Sequence, residues 1–117
     1  MKNILLLILL TLNSTLVTAQ LIKQVMNCAG DTKKDVPFKL ELKEKIAVIN
    51  LRDETYQLNF KKNRVGDDGY KWSIYEGQSL ILSVQHSKDN YANLFRKDWN
   101  SQLQMNINHP LSSSSCK

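Results

Sequence analysis

The clearest chemistry in this sequence belongs to its two cysteines. Cys28 and Cys116 are the only ones in a chain of 117 residues, so a single intramolecular pairing exists. Neither has a histidine at the spacing of a metal motif, and this makes a zinc site or a reactive thiol the weaker interpretation. We therefore expect a disulfide. It closes a loop of 88 residues, which the chain-entropy model values at about 4–5 kcal/mol.

Histidines are the second group that could do chemistry, and the chain has two of them. His86 and His109 both lie at predicted strand ends beside polar residues. A zinc ion in a protein usually takes three or four ligands, so two separate histidines do not predict a metal site. We interpret both as solvated loop residues.

Carboxylates occur as adjacent pairs on predicted turns. The pairs are Asp53-Glu54 and Asp67-Asp68, and acids at such positions serve turn geometry. The alternating oxygen ligands of a calcium loop are missing there. The sequence also lacks a glycine-flanked serine, a phosphate-binding glycine loop and HExxH. It thus predicts a protein that is not an enzyme and has no catalytic residue, metal or cofactor. A small hydrolase that uses these four acids is the third hypothesis for function.

Positive charge is the remaining source of binding chemistry. The chain carries 16 Lys and Arg against 11 Asp and Glu. Clusters of such residues can contact lipid headgroups or an anionic wall polymer, or only keep a β-domain soluble. Trp99 beside Arg96 and Lys97 could stack on a sugar or a base, or it could pack in the core or cover a barrel end. No signal specific to nucleic acid accompanies it. The basic patch that we consider consists of Lys61, Lys62, Arg64, Arg96, Lys97 and Trp99.

The first nineteen residues predict export. Lys2 precedes an apolar run at residues 4–12, and Val17-Thr18-Ala19 offers the small residues that a signal peptidase reads. The run is too short to cross a bilayer, and no second apolar stretch of spanning length follows. We expect cleavage after Ala19 and one domain over residues 20–117, in the periplasm or secreted. Such a compartment is oxidising and favours the disulfide.

Alternation of apolar and polar residues predicts strands through most of that domain. The phase around Trp72 and Ile74 predicts that Tyr75 points away from the core. Turn residues separate the strands, and seven to eight short strands joined in this way favour an antiparallel meander, closed as a barrel or folded as a sandwich. The predicted strands lie at 22–28, 38–42, 46–51, 56–60, 70–74, 80–84 and 103–107.

Residues 89–99 fit either a helix or a strand. Asp89 or Asn90 could cap a helix there, and the same stretch also gives a strand with an aromatic face. Because it lacks β-branched residues, we favour a short helix. The serines at 112–115 are interpreted as a flexible lead-in to Cys116. The residues on the helical face are Tyr91, Leu94, Phe95 and Trp99.

The stretch over residues 66–82 resembles a known family. A glycine-containing turn leads to Tyr70, the aromatic strand Trp72-Ser73-Ile74-Tyr75 follows, and Glu76-Gly77-Gln78 turns into the apolar Leu80-Ile81-Leu82. With one cysteine early in the domain and another at its end, the layout is similar to the bacterial C-type lysozyme inhibitors. The resemblance implies an eight-stranded antiparallel barrel, in the periplasm or on its membranes, that plugs the active-site cleft of a lysozyme.

The leading hypothesis is an exported, non-enzymatic binding protein that inhibits lysozyme or another cell-wall hydrolase by loop insertion. The turns at 66–70 and 76–78 would enter the cleft and present carboxylates to it. The alternative is an envelope or secreted module that holds an anionic polymer through the basic patch. The candidate contact residues of the leading hypothesis are Asp67, Asp68, Tyr70, Tyr75, Glu76 and Gln78.

Overall fold

A computed structural model describes residues 24–87 and 90–117. Within these ranges the chain forms eight antiparallel strands that close into a barrel in sequence order, which confirms the all-β prediction. The proposed signal peptide, its cleavage site and Ile22 lie outside the described residues. No helix of the described ranges is long and apolar enough to span a membrane. The strands are β1 (Gln24–Cys28), β2 (Phe38–Leu42), β3 (Ile46–Leu51), β4 (Glu54–Val65), β5 (Lys71–Glu76), β6 (Leu80–His86), β7 (Asn90–Asn100) and β8 (Met105–Cys116).

Alternate residues of these strands point inward and form one core. Leu40, Ile49, Leu58, Leu82 and Leu94 come from five different strands, and none of them has exposed surface. Burial of such a side chain stabilises the folded state by about 1.5–3 kcal/mol. The period-two alternation in the sequence therefore supplies the apolar interior that the barrel needs.

The two ends of the sheet meet where β1 contacts β8. In register, the contact consists of Cys28 opposite Cys116, and their sulfurs form the disulfide that the sequence predicts. Beside it, Asn27 and Lys117 exchange two backbone hydrogen bonds of 2.7 and 3.0 Å. Because the pairing of the strands is so short here, the covalent bond is a main component of barrel closure.

The loop between β1 and β2 covers part of the β8 edge. The backbone N–H of Asp31 donates to the carbonyl of Ser113 at 2.9 Å. The carboxylates of Asp35 and Asp31 accept from the N–H groups of Ser113 and Ser115 at 3.1 and 3.2 Å. Two acidic side chains thus take the place of a neighbouring strand, so backbone groups that β1 does not reach are still hydrogen-bonded.

The serine run at 112–115 belongs to β8, so the prediction of a flexible lead-in is wrong. Ser112 and Ser114 point into the barrel and are 2% and 1% exposed. They lie opposite Leu94 and Ala92 in register. The Ser114 hydroxyl also accepts the backbone N–H of Gly30 at 2.8 Å. The pairing with β7 and the loop over its edge order this segment, and neither is visible in its composition.

Residues 90–100 form strand β7, so the short helix predicted for 89–99 is wrong; residue 89 itself lies outside the described ranges. β7 pairs with β6 on one side and with β8 on the other. Ala92 and Leu94 face the core, and Tyr91 and Phe95 lie on the outer surface. Pairing on both sides outweighs the low strand propensity of this segment.

β5 has the opposite phase to the predicted one. Tyr75 is only 5% exposed, while Trp72 and Ile74 are half-buried on the outer side. Residues paired across neighbouring strands share a face, and Tyr75 pairs with the buried Leu82. The ring of Phe60 contacts Tyr75 edge-to-face with centroids 5.7 Å apart. The prediction that Tyr75 points away from the core is therefore wrong.

β7 and β8 continue beyond the barrel as a two-stranded hairpin. β6 pairs with β7 as far as Arg96, whereas β7 and β8 stay paired as far as Met105. We call residues 98–107 the arm. Trp99 and Leu103 are each 62% exposed on it, and Met105 is 54% exposed. Leu103 lies in the turn at the tip of the arm, so the predicted buried face over 103–107 is wrong.

Candidate functional site

The two turns that the sequence analysis expected to act together lie at opposite ends of the barrel. Residues 66–70 precede β5 and residues 77–79 follow it. A strand of six residues spans roughly 17 Å. We call the end with residues 66–70 the upper end and the other one the lower end. The two turns present separate surfaces.

Hydrogen bonds hold the upper turn in one conformation. The Gly66 N–H donates to the Tyr70 carbonyl at 2.9 Å, and the Gly69 N–H to the Gly66 carbonyl at 3.0 Å. The Asp68 carboxylate accepts from the Tyr70 N–H at 3.0 Å and from Gln85 Nε2 at 3.2 Å. Gly69 has a φ of 82°, which suits glycine because it has no Cβ. These contacts order the turn.

Three side chains of the upper turn and of the strand end before it remain open to a partner. Val65 is 71% exposed and Tyr70 is 49% exposed. Asp67 is exposed too, and it makes no hydrogen bond or ion pair with any described residue, whereas Asp68 uses both oxygens within the fold. We call Val65, Asp67 and Tyr70 the upper tip. It combines an aromatic ring, an aliphatic group and one free carboxylate.

Glu76 does not act as a free carboxylate at a contact turn. Its Oε1 accepts a hydrogen bond of 2.9 Å from Lys97 Nζ, and its Oε2 lies 4.0 Å from Lys61 Nζ. The hydrogen bond from Lys97 lowers the pKa of Glu76 below its ordinary value. Gln78 follows it, exposed, in the lower turn. Of the six contact residues predicted, the structure brings Asp67, Asp68 and Tyr70 together and separates the other three from them.

The basic patch does not form one face. Arg96 lies opposite the buried Leu80 and so belongs to the inner side of β7, where it donates to Asp98 Oδ2 from Nε and Nη2 at 3.1 and 2.9 Å. Lys97 is on the outer side, bonded to Glu76. Alternation along the strand therefore places these two neighbours on opposite faces.

Lys62 and Arg64 are the members of the patch that stay free. Both are exposed on β4, and no carboxylate of the described residues lies within 4 Å of either. Lys61 lies at a β-bulge beside them and shares Glu76 with Lys97. Trp99 is exposed on the arm at the lower end. A smaller pair of cations on the outer wall thus replaces the predicted six-residue patch.

A serine–histidine contact is the feature closest to a catalytic group. His86 Nε2 lies 2.7 Å from the hydroxyl of Ser73, which in turn donates to Asn63 Oδ1 at 2.9 Å. In the tautomer that carries its proton on Nε2, the imidazole donates to the Ser73 oxygen, and this leaves the hydroxyl proton for Asn63 Oδ1. Activation of a serine needs the reverse arrangement, with the imidazole as acceptor. Burial, and then the nearby Lys71, lower the pKa of His86, which favours the neutral ring.

The sequence does not predict this contact, because strand register creates it. Ser73 and His86 are thirteen residues apart on β5 and β6. Neither histidine is a loop residue: His86 ends β6, and His109 lies within β8, 3.3 Å from Asp98. No group of three or more His, Cys, Asp and Glu side chains suited to a metal ion occurs in the described ranges.

The two acid pairs are also far apart. Asp53 and Glu54 lie at the lower end and Asp67 and Asp68 at the upper end, with the twelve residues of β4 running from one to the other. Glu54 accepts a hydrogen bond from the Tyr56 hydroxyl. A glycosidase mechanism needs two carboxylates across one cleft, and the barrel wall separates these pairs.

Comparisons of the chain with family models, with curated proteins and with solved structures found no match in any of the three. The resemblance to the lysozyme inhibitors therefore stays an expectation from sequence motifs.

Proposed function

We propose that this protein is an exported, non-enzymatic inhibitor of a lysozyme or related cell-wall hydrolase, and that it acts by inserting the upper tip into the cleft of its target. The observation that carries the proposal is the upper turn itself. Four hydrogen bonds order it, and the side chains of Asp67 and Tyr70 project from it with no hydrogen-bond partner among the described residues. A preorganised loop binds without the entropy cost of ordering.

The chemistry of the upper tip suits a protein cleft. An exposed tyrosine is among the residue types that contribute most to protein interfaces, because its ring contacts a large area and loses little conformational entropy. Asp67 adds one carboxylate that has no partner in the described part of the chain. We therefore expect a target whose cleft carries basic groups at the position where Asp67 enters it.

The non-enzymatic part of the proposal is supported by the proton arrangement around Ser73. Its hydroxyl donates to Asn63 Oδ1, and in the tautomer with the proton on Nε2 the His86 ring donates to the serine oxygen. The export part is supported by the signal-like first nineteen residues and by the disulfide, since disulfides persist in oxidising compartments.

The test is inhibition of a panel of purified lysozymes and other wall hydrolases by the oxidised protein. We expect stoichiometric inhibition of one enzyme class. The Asp67→Ala/Tyr70→Ala variant should lose at least tenfold in inhibition. The matched control is Gln78→Ala/Trp99→Ala at the lower end, which should inhibit like the parent. Failure to inhibit any enzyme overturns the proposed activity, and a greater loss in the control moves the site to the lower end.

A second candidate function rests on Lys62 and Arg64. Both cations lie exposed on the outer wall of β4 without an acid within 4 Å among the described residues. They could hold an anionic envelope polymer. Such binding weakens steeply with added salt because it is driven by counterion release. Binding to a polyanion that is insensitive to salt, or unchanged in Lys62→Gln/Arg64→Gln, would exclude this function.

A further inference from the structure

The lower end of the barrel has an open mouth that the proposed inhibitor function does not use. A cavity of about 250 Å³ lies there, between the β3–β4 turn and strands β6, β7 and β8. Two depressions of about 240 and 220 Å³ adjoin it. Tyr56 borders all three. We call the cavity of about 250 Å³ the lower mouth.

The floor of the lower mouth is aliphatic. Its apolar lining consists of Val36, Leu51, Leu80 and Leu111. Leu51 and Leu80 are 8% and 4% exposed, and Val36 and Leu111 pack against the core at its rim. A ligand with an alkyl body that enters here would remove its own apolar surface from water without opening the core, and this burial favours binding.

The cationic group of the lower mouth is Arg52, which borders the cavity from the two-residue turn between β3 and β4. No carboxylate of the described residues lies within 4 Å of Arg52. The neighbouring Glu54 accepts the Tyr56 hydroxyl. Arg52 also has a φ of 57°, and residues other than glycine seldom adopt this left-handed conformation unless the surroundings require it.

A second guanidinium faces the same cavity. Arg96 borders it from β7, but this group already donates two hydrogen bonds to Asp98 Oδ2. Its charge is thus largely satisfied within the fold. One free guanidinium above an aliphatic floor is the complement of one anionic group on an apolar body. Guanidinium pairs with carboxylate in a planar, two-bond geometry.

We propose that the lower mouth binds a small amphiphilic monocarboxylate, with the carboxylate on Arg52 and the alkyl body on the floor of Leu51, Leu80 and Leu111. A volume of about 250 Å³ holds roughly eight non-hydrogen atoms, if each takes about the volume of a water molecule in the liquid. The eight carbons of octanoate match this volume, with the carboxylate oxygens at the open rim. The site is at the opposite end of the barrel from the upper tip, so each proposal can fail without the other.

The experiment is calorimetric and NMR titration of the oxidised protein with sodium octanoate below its micellar concentration. Octan-1-ol and inorganic phosphate serve as separate probes of the alkyl body and of the anion. We expect octanoate to bind at least tenfold more tightly than either, with the largest NMR shifts at Leu80 and Leu111. Equal affinity for octanoate and octanol, or for octanoate and phosphate, overturns the proposal, as does an absence of binding.

Variants of Arg52 make the test specific. Arg52→Asn removes the guanidinium but keeps the backbone, because asparagine tolerates the left-handed conformation. It should reduce octanoate affinity to that of octanol, while Arg52→Lys keeps part of it. Lys62→Asn is the matched control for loss of one positive charge elsewhere and should bind like the parent. Unchanged octanoate binding in Arg52→Asn contradicts the proposal.

Discussion

Lys97 Nζ lies 2.9 Å from Glu76 Oε1, and this contact reaches from β7 to β5 across the intervening strand β6. The Lys97 side chain is only 15% exposed, whereas that of Glu76 is 36% exposed. The backbone N–H of Lys97 also donates to the Ser79 carbonyl at 2.8 Å. Together these contacts fasten the base of the arm to the barrel wall.

The Lys97–Glu76 contact predicts a pH-dependent contribution to stability. Glu76→Gln should lower the free energy of unfolding by about 0.5–1 kcal/mol at pH 7, because one partner stays partly screened by water. The pKa of Glu76 is lowered in the folded state. Its contribution is therefore present above the unfolded pKa of about 4.5 and is lost as pH falls through the folded pKa. Urea unfolding from pH 7 to pH 3 measures this, with Glu44→Gln as an exposed control; a pH-independent difference contradicts it.

Removal of the disulfide should cost far more. The Cys28→Ala/Cys116→Ala variant loses the link between the two ends of the sheet, and the loop-entropy model predicts a loss of about 4–5 kcal/mol. Total stabilities of small domains are about 5–15 kcal/mol, so the variant should lose a large fraction of its stability. Urea unfolding with and without reductant measures the effect. Reductant should leave the variant unchanged, and a variant as stable as the oxidised parent refutes the prediction.

The two buried serines of β8 form a matched pair with opposite expected outcomes. Ser114→Ala leaves the Gly30 N–H without its acceptor and should destabilise by about 1–3 kcal/mol. The Ser112 hydroxyl is buried and has no hydrogen-bond partner among the described residues, so Ser112→Ala should be neutral or stabilising. Thermal unfolding of the two variants is the measurement. An equal loss in both would show that side-chain volume, not hydrogen bonding, decides the effect.

Substitution of the two tyrosines of the β5 region should have different effects, one on the free energy of unfolding and the other on inhibition. Tyr75→Ala removes a core ring that is 5% exposed and should cost about 3–5 kcal/mol. Tyr70→Ala removes a ring that is 49% exposed, so its unfolding free energy should change by less than about 0.5 kcal/mol. Inhibition assays on folded material should show the reverse order. A stable Tyr75→Ala variant would contradict the core position of this ring.

Acid should loosen the loop that covers the β8 edge. The pKa of Asp35 is lowered, first by the hydrogen bond from the Thr32 backbone and then by that from Ser113. Its contribution to stability is therefore present above the unfolded value of 3.8 and is lost as pH falls through the folded pKa. Protection of the Ser113 amide from hydrogen exchange should therefore decrease as pH falls below 3.8. In the Asp35→Asn variant, protection of this amide should already be lower than in the parent at pH 7. Asp53→Asn in the exposed β3–β4 turn is the control.

The sequence by itself determined the class of fold and its covalent closure. Alternation at 38–42 and 80–84 predicts strands with one buried face, because side chains alternate along an extended backbone whatever surrounds it. Two cysteines admit one intramolecular pairing. The turn at 66–69 follows from glycine and aspartate conformational preferences. These features depend on neighbouring residues in the sequence or on the number of cysteines, and the structure agrees with them.

Tertiary structure decided the face of β5, the strand at 90–100 and the positions of the candidate sites. Tyr75 faces inward because its register with Leu82 places it there, and local alternation alone does not set register. The two turns on either side of β5 are close in sequence, but the extended strand between them places them at opposite ends of the barrel. The lower mouth brings Arg52 and Leu111 together only after β8 has closed the barrel. Long-range pairing carries this information, and no short stretch of sequence contains it.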